Sequence, residues 1–237
     1  MLTGEFHTPM TRALIEAQSK DFEQMFARRY AKYGIVSELD ELAQSRQKVY
    51  IFSGVIRDFF LQLDSVSRDI DIVISGKSLD NIMEDDVRVT NQFGGAKIKK
   101  EGLTIDMWCL SNTWGIKRKK ANSTPDELIK TSFFNFSAIL YDYRKHRFIV
   151  GDDFLKFINS RELDYVYEDN PYPALCVVNT LYYSRKFNCG ISDRLKRWIK
   201  QYATGTMFPN YAEVQKGHFG EVLFDNQTIE EFIKSIG

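Results

Sequence analysis

Two carboxylates, Asp69 and Asp71, stand one residue apart inside the run RDIDIVIS (residues 68–75). The run alternates and is rich in Ile and Val, which marks a β-strand. An extended chain sends successive side chains to opposite faces, so both acids point one way and Ile70, Ile72 and Ile74 point the other. Carboxylates roughly 6–7 Å apart along a strand can share or bridge hard divalent cations. Mg²⁺ in particular takes oxygen ligands, commonly one or two carboxylates plus substrate phosphates. Burying unpaired charge is costly. The pair therefore marks either a solvated strand end or a place where something positive sits.

A second alternating run, GLTIDMWCL (102–110), carries Asp106 between Ile105 and Met107. If the two strands pair in suitable register, three carboxylates converge and repel one another without a metal. The natural use of such a cluster is a two-metal site, in which one ion activates an attacking hydroxyl and the other holds nucleotide phosphates and departing pyrophosphate. Just upstream, KVYIFSG (48–54) reads as a short buried strand stopped by Ser53-Gly54, and VIRDFFLQL (55–63) has helical spacing. A strand–turn–helix offers helix N–H groups to an anion. Arg57 can fork onto a phosphate there; its plainer role is a salt bridge to Asp58 or a neighbouring acid.

The elements that position these groups are legible around them. Residues 9–32 read as a helix with Pro9 in its first turn. SELDELAQSRQ (37–47) reads as another, with Ser37 as N-cap and Asp40 three residues on. Residues 87–111 read as further strands, with turns at Gly94-Gly95 and Glu101-Gly102. Thr124-Pro125 opens a helix, and residues 144–163 give a strand and a short helix. Beyond YEDNPYPA the pattern is helical to about Tyr202, and a last helix runs through NQTIEEFIKSI.

In 237 residues, an apolar fraction of 43% and an aromatic fraction of 14% describe a chain that buries a core. Lys+Arg and Asp+Glu balance at 32 each, which argues against non-specific nucleic-acid binding by the whole surface. Cys109, Cys176 and Cys189 are odd in number and far apart, so neither a zinc site nor a disulfide framework is expected. The start of the chain has no apolar leader and no long apolar run follows, so a cytoplasmic protein without membrane association is expected.

Two basic runs with interleaved aromatics, WGIKRKK (114–120) and SDRLKRWIKQY (192–202), suit either a phosphate backbone or ordinary solvated surface. His7, His146 and His218 are scattered and read as structural or surface residues. MEDDV (83–87) reads as a solvated turn. Tyr141, Tyr165, Tyr182 and Tyr183 suit packing or the lining of a nucleotide cleft.

YIFSGVIRDFFLQLDSVSRDIDIVI (50–74) resembles the head-domain signature of class II CCA-adding enzymes and bacterial poly(A) polymerases, within the DNA polymerase β-like nucleotidyltransferase superfamily. That signature reads G-G-x-V-R-D, a short helix, then D-x-D on a strand. The resemblance implies that Asp69 and Asp71 bind metal and that Ser53, Gly54, Arg57 and Asp58 form the nucleotide-binding turn, with Ser53 in place of the first glycine. Asp106 is assigned as the third carboxylate from its strand context.

SFFNFSAILYD (132–142) is similar to the family's R-R-D-F-T-I-N-A-L-A-Y-D segment, and residues 167–192 echo its E-D-P-x-R-x-x-R helix start. The likeness is collinear over about residues 48–192. The departures are the family's basic residues, replaced near Thr131, Ser132 and Phe133, and its helix arginines, which fall on or near Pro173, Cys176 and Asn179. Those side chains help bind the triphosphate and select the base, and the family's tRNA-holding body and tail would lie beyond residue 237.

The expected fold is α+β: a mixed, largely antiparallel nucleotidyltransferase sheet with helices packed on one side, followed by a small helical domain. The expected division is N-terminal helices at 1–47, a nucleotidyltransferase domain at 48–155 and a neck-like helical domain at 156–237. The resemblance implies transfer of a nucleoside monophosphate from an NTP to an acceptor hydroxyl, with an RNA 3′ end favoured, using two Mg²⁺ ions. A protein or small-molecule acceptor, and a non-catalytic nucleotide-binding domain, are the alternatives.

Overall fold

The computed structural model describes residues 8–45, 47–63, 69–76, 79, 87–90, 94–205 and 210–236. Helices α1 (Arg12–Glu16), α2 (Ser19–Tyr30) and α3 (Ile35–Gln44) precede β1 (Val49–Phe52) and α4 (Gly54–Phe60). Strands β2 (Asp69–Ile74), β3 (Val87–Thr90), β4 (Ala96–Lys100) and β5 (Leu103–Cys109) follow, then short helices α5 (Trp114–Lys119) and α6 (Pro125–Ile129). Strands β6 (Ile139–Asp142) and β7 (Arg147–Val150) lead to α7 (Asp152–Ser160), β8 (Glu162–Leu163), α8 (Pro173–Phe187) and β9 (Gly190–Ile191). The chain ends in α9 (Asp193–Gly205), α10 (Tyr211–Phe219) and α11 (Asn226–Ser235).

Seven strands form one mixed sheet in the order β3-β4-β5-β2-β1-β6-β7, and β8 and β9 pair separately. β2 and β5 run parallel, while every other neighbouring pair in the large sheet is antiparallel. This is the α+β architecture expected. In β5, Leu103, Ile105, Met107 and Cys109 are buried while Thr104, Asp106 and Trp108 are half-buried, the period of two that separates a core face from a cleft face.

The core face is closed by α2 and α4. Phe22, Met25, Phe26 and Tyr30 form the buried stripe of α2. Phe22 meets Phe59 of α4 at 5.5 Å, Tyr141 of β6 at 4.8 Å and Phe148 of β7 at 5.3 Å. The C-terminal helices dock through aromatics too: Phe136 meets Tyr183 of α8 at 4.9 Å, and Phe133 meets Trp198 of α9 at 4.8 Å. α6 also packs against β6 and β7. No helix among the described residues is long and apolar enough to cross a membrane.

Four local expectations are corrected. The 9–32 helix is two, because the Gln18 N–H bonds Ile15 O and tightens the chain there before α2 begins. Ser37 is not an N-cap: Gly34, at φ 74°, starts α3 directly, and Ser37 Oγ donates to Gly34 O within the first turn. Helix does not run unbroken to Tyr202, since Asn188 (φ 48°) ends α8 and β9 intervenes. α10, capped by Asn210, was not anticipated. Thr124 does cap α6, its side chain accepting from Glu127 N.

Candidate active site

β2 lies in the middle of the sheet, between β1 and β5, and this placement assembles the site. In the β2–β5 register Asp71 stands opposite Asp106, and Asp69 opposite Thr104. Asp69, Asp71 and Asp106 therefore share one face and line the same cleft, of about 900 Å³. Ser53, Gly54, Arg57 and Asp58 line that cleft as well. Its volume is within the range of small-molecule sites. All seven residues singled out in the sequence thus border one space.

Within it their surroundings differ. Desolvation, reinforced by the negative charges of Asp106 and Asp69, pushes the Asp71 carboxyl up from its ordinary 3.8 to about 7, against the opposing pull of Arg57 and Lys97. Asp106 Oδ2 accepts from Lys97 Nζ at 3.0 Å. Lys97 is the residue directly across from Asp106 on β4. The sequence reading did not include it, although its alternation in AKIKK gave the face it occupies.

The turn after β1 is strained. Ser53 adopts φ 49°, ψ −92°, near the rare form of the γ-turn, a conformation that glycine enters more readily. Its Oγ lies 2.7 Å from Ser137 Oγ. Among the described residues no atom beyond its chain neighbours and its own helix backbone stands within 4 Å of where a Cβ on Gly54 would be, and Gly54 borders the cleft.

Arg57 takes the plainer of its two expected roles. Its Nε donates to Asp58 Oδ1 at 2.7 Å, with both side chains almost fully buried. Its guanidinium also lies over Phe136, Tyr183 and Phe187, at 5.0, 5.2 and 4.8 Å. The pair ties the turn after β1 to α8.

The walls of the cleft include Trp108, Trp114, Tyr172, Tyr182 and Tyr183. Tyr141 and Tyr165 do not line it: Tyr141 hydrogen-bonds Glu23 behind the sheet, and Tyr165 holds Arg194 over its ring. Asn179 borders the cleft, and its Oδ1 has no hydrogen-bond partner among the described residues. Of the basic runs, Arg118 pairs with Asp169 at 2.6 Å and Arg194 with Asp164 at 3.0 Å.

His218, on α10, lines the same cleft as the acids. Partial desolvation holds its imidazole below the usual value, Asp69 and Asp106 pull it back up, and Lys97 lowers it further. His146 instead pairs with Glu23 at 2.6 Å. His7 and residues 83–86 of MEDDV lie outside the described residues.

Among the described residues no group of three or more His, Cys, Asp or Glu side chains is set to hold a metal ion. The chemistry of the donor set nevertheless fits a cation: three carboxylates share a face, and their mutual repulsion contributes to raising Asp71.

The fold is shared with solved structures. A CCA-adding enzyme with ATP matches at 16% identity and a TM-score of 0.61, over 89% of this chain and 54% of that one. A tRNA nucleotidyltransferase complexed with a primer tRNA and an incoming ATP analogue matches at 15% identity and a TM-score of 0.60, over 83% and 59%. A Thermotoga maritima CCA-adding enzyme complexed with tRNA matches at 18% identity and a TM-score of 0.59, over 82% and 48%. At these identities the likeness is one of fold: the chain has the nucleotidyltransferase fold that the sequence resemblance implied. It spans about half the length of the structures it matches. No family model matches the sequence, and no curated protein does.

Proposed function

We propose that this protein is a nucleotidyltransferase that moves a nucleoside monophosphate from an NTP to an acceptor hydroxyl, with the 3′ end of RNA as the favoured acceptor. The observation that carries the reading is the convergence of Asp69, Asp71, Asp106 and the open Ser53-Gly54 turn on one cleft. The acceptor hydroxyl gives up its proton to solvent, its oxygen bonds to the α-phosphorus, the bond from that phosphorus to the bridging oxygen breaks, and pyrophosphate leaves with its electron pair. Asp69, Asp71 and Asp106 would hold two Mg²⁺ ions, which when bound supply charge neutralisation for the phosphates and a more acidic acceptor hydroxyl.

The remaining work falls to the chain's own side chains. The turn backbone at Gly54 receives the phosphate tail, and Asp106 orients the acceptor hydroxyl. Arg57 acts from beneath, fixing the turn rather than reaching the nucleotide. Asn179 Oδ1 offers an acceptor to an exocyclic amino group, which adenine, cytosine and guanine carry and uracil lacks. The three cysteines are free and buried, in keeping with a cytoplasmic setting.

The test is incubation with each α-labelled NTP, Mg²⁺ and either single-stranded RNA or cell lysate. Label incorporated into RNA supports the reading. Label following protein or a small molecule would move the acceptor to the alternative class and leave the chemistry intact. Nucleotide binding indifferent to Mg²⁺, with no transfer to any acceptor, would mark a non-catalytic binding domain.

A further inference from the structure

The cleft has two ends with different chemistry. At one, beside β1, the open backbone of Gly54 and the Ser53 turn face the space. At the other, across β2, stand Asp106 on β5 and its partner Lys97 on β4, while His218 on α10 borders the same cleft from its helical wall. The charged groups that act on His218 include Asp106 and Lys97 of this second end, with Asp69 of β2. Arg57 and Lys97 both act on Asp71, which stands between the two ends. Phosphoryl transfer places the attacking and leaving oxygens roughly in line on opposite sides of the phosphorus. A triphosphate seated at the Gly54 end therefore leaves the Lys97–His218 end to the acceptor.

We propose that His218 is an acceptor-subsite residue, hydrogen-bonding the last residue of an RNA strand beside its attacking 3′ hydroxyl. The inference rests on the nucleotidyltransferase reading above. The imidazole suits the task because it carries a donor and an acceptor on one rigid ring, matching a ribose hydroxyl or a phosphate oxygen. It is exposed on its helix, so the ring is free to meet a ligand. Beside it Phe219 packs on Tyr182 of α8 at 5.2 Å, and both rings border the cleft, a surface on which a terminal base can stack. His218 thus joins the helical wall to the carboxylate floor through the substrate.

The experiment uses a short single-stranded RNA with a free 3′ hydroxyl, Mg²⁺ and labelled ATP or CTP, comparing the full chain with His218→Ala and His218→Asn. His146→Gln, altered at the β6–β7 turn, serves as the control. The expected result is a rise of about tenfold in KM for RNA in His218→Ala, the worth of one hydrogen bond. KM for the NTP is unchanged, recovery is partial in His218→Asn, and the control is unaffected. RNA binding measured by tryptophan quenching without NTP weakens in parallel. RNA extended by His218→Ala with unaltered KM would overturn the inference while the nucleotidyltransferase reading stands, as would a rise in KM for NTP alone. Wild-type protein that neither binds nor extends the RNA would overturn both the RNA acceptor and this role for His218.

Discussion

Asp71 and Asp106 face each other across two parallel strands, each in register with the other, so that the β2–β5 pairing carries all three acids that the sheet turns to the cleft. Burial first, and that closeness second, raise the Asp71 carboxyl above its ordinary value. Asp71→Asn is expected to abolish nucleotide transfer while the circular dichroism spectrum stays native. The amide keeps the shape of the side chain but neither charge nor full ligand capacity. Undiminished transfer in this variant would remove Asp71 from the chemistry.

The same carboxylate predicts how stability varies with pH in metal-free buffer. Its folded pKa, about 7, lies above the ordinary 3.8, so the folded state holds this proton more tightly than the unfolded one. The resulting stabilisation is fully present below about pH 4 and is lost as pH rises through 7. Relative to wild type, Asp71→Asn therefore gains stability toward alkaline pH, by about 2–4 kcal/mol. Urea melts in EDTA at pH 4.5 and 8 measure the difference, and a gap independent of pH would contradict the cause given.

Arg57 and Asp58 form a buried pair under three rings, so removing either leaves a charge without its partner. Arg57→Ala should cost about 3–5 kcal/mol, and the double replacement Arg57→Met with Asp58→Leu should cost less than either single truncation. Thermal denaturation orders the variants. A stable Arg57→Ala protein with a much weaker KM for NTP would instead return Arg57 to the nucleotide.

At Ser53 two effects oppose. Glycine relieves the positive-φ strain, of order 1–3 kcal/mol, and forfeits the contact with Ser137, worth about 1 kcal/mol. Alanine forfeits the contact and keeps the strain. The expected stability order is Ser53→Gly at or above wild type, with Ser53→Ala below both. Chemical denaturation in which glycine falls lowest would show that the hydroxyl contact outweighs the backbone.

The carboxylate floor was legible because strand alternation is a short-range signal. Once Asp69 and Asp71 are on a strand, their common face follows, and GLTIDMWCL puts Asp106 on the face opposite its isoleucine. Other contributors depend on pairing that no local pattern states. Lys97 reaches Asp106 only because β4 lies beside β5 in that register. His218 reads from the sequence as a structural or surface residue because its helix went unrecognised. YAEVQKGHF has little one-sided apolar pattern and contains Gly217, so periodicity was weak, although Asn210 offered a cap. The pairing of Arg57 with Asp58 was legible as the plainer of its two roles, while the rings over it, from residues 136, 183 and 187, were not.

Those rings also bind two walls of the cleft into one unit. With Arg57 clamped between the turn after β1 and α8, the floor and the helical wall are riveted together at that end. A change at either α8 ring is then carried to the turn that Gly54 opens.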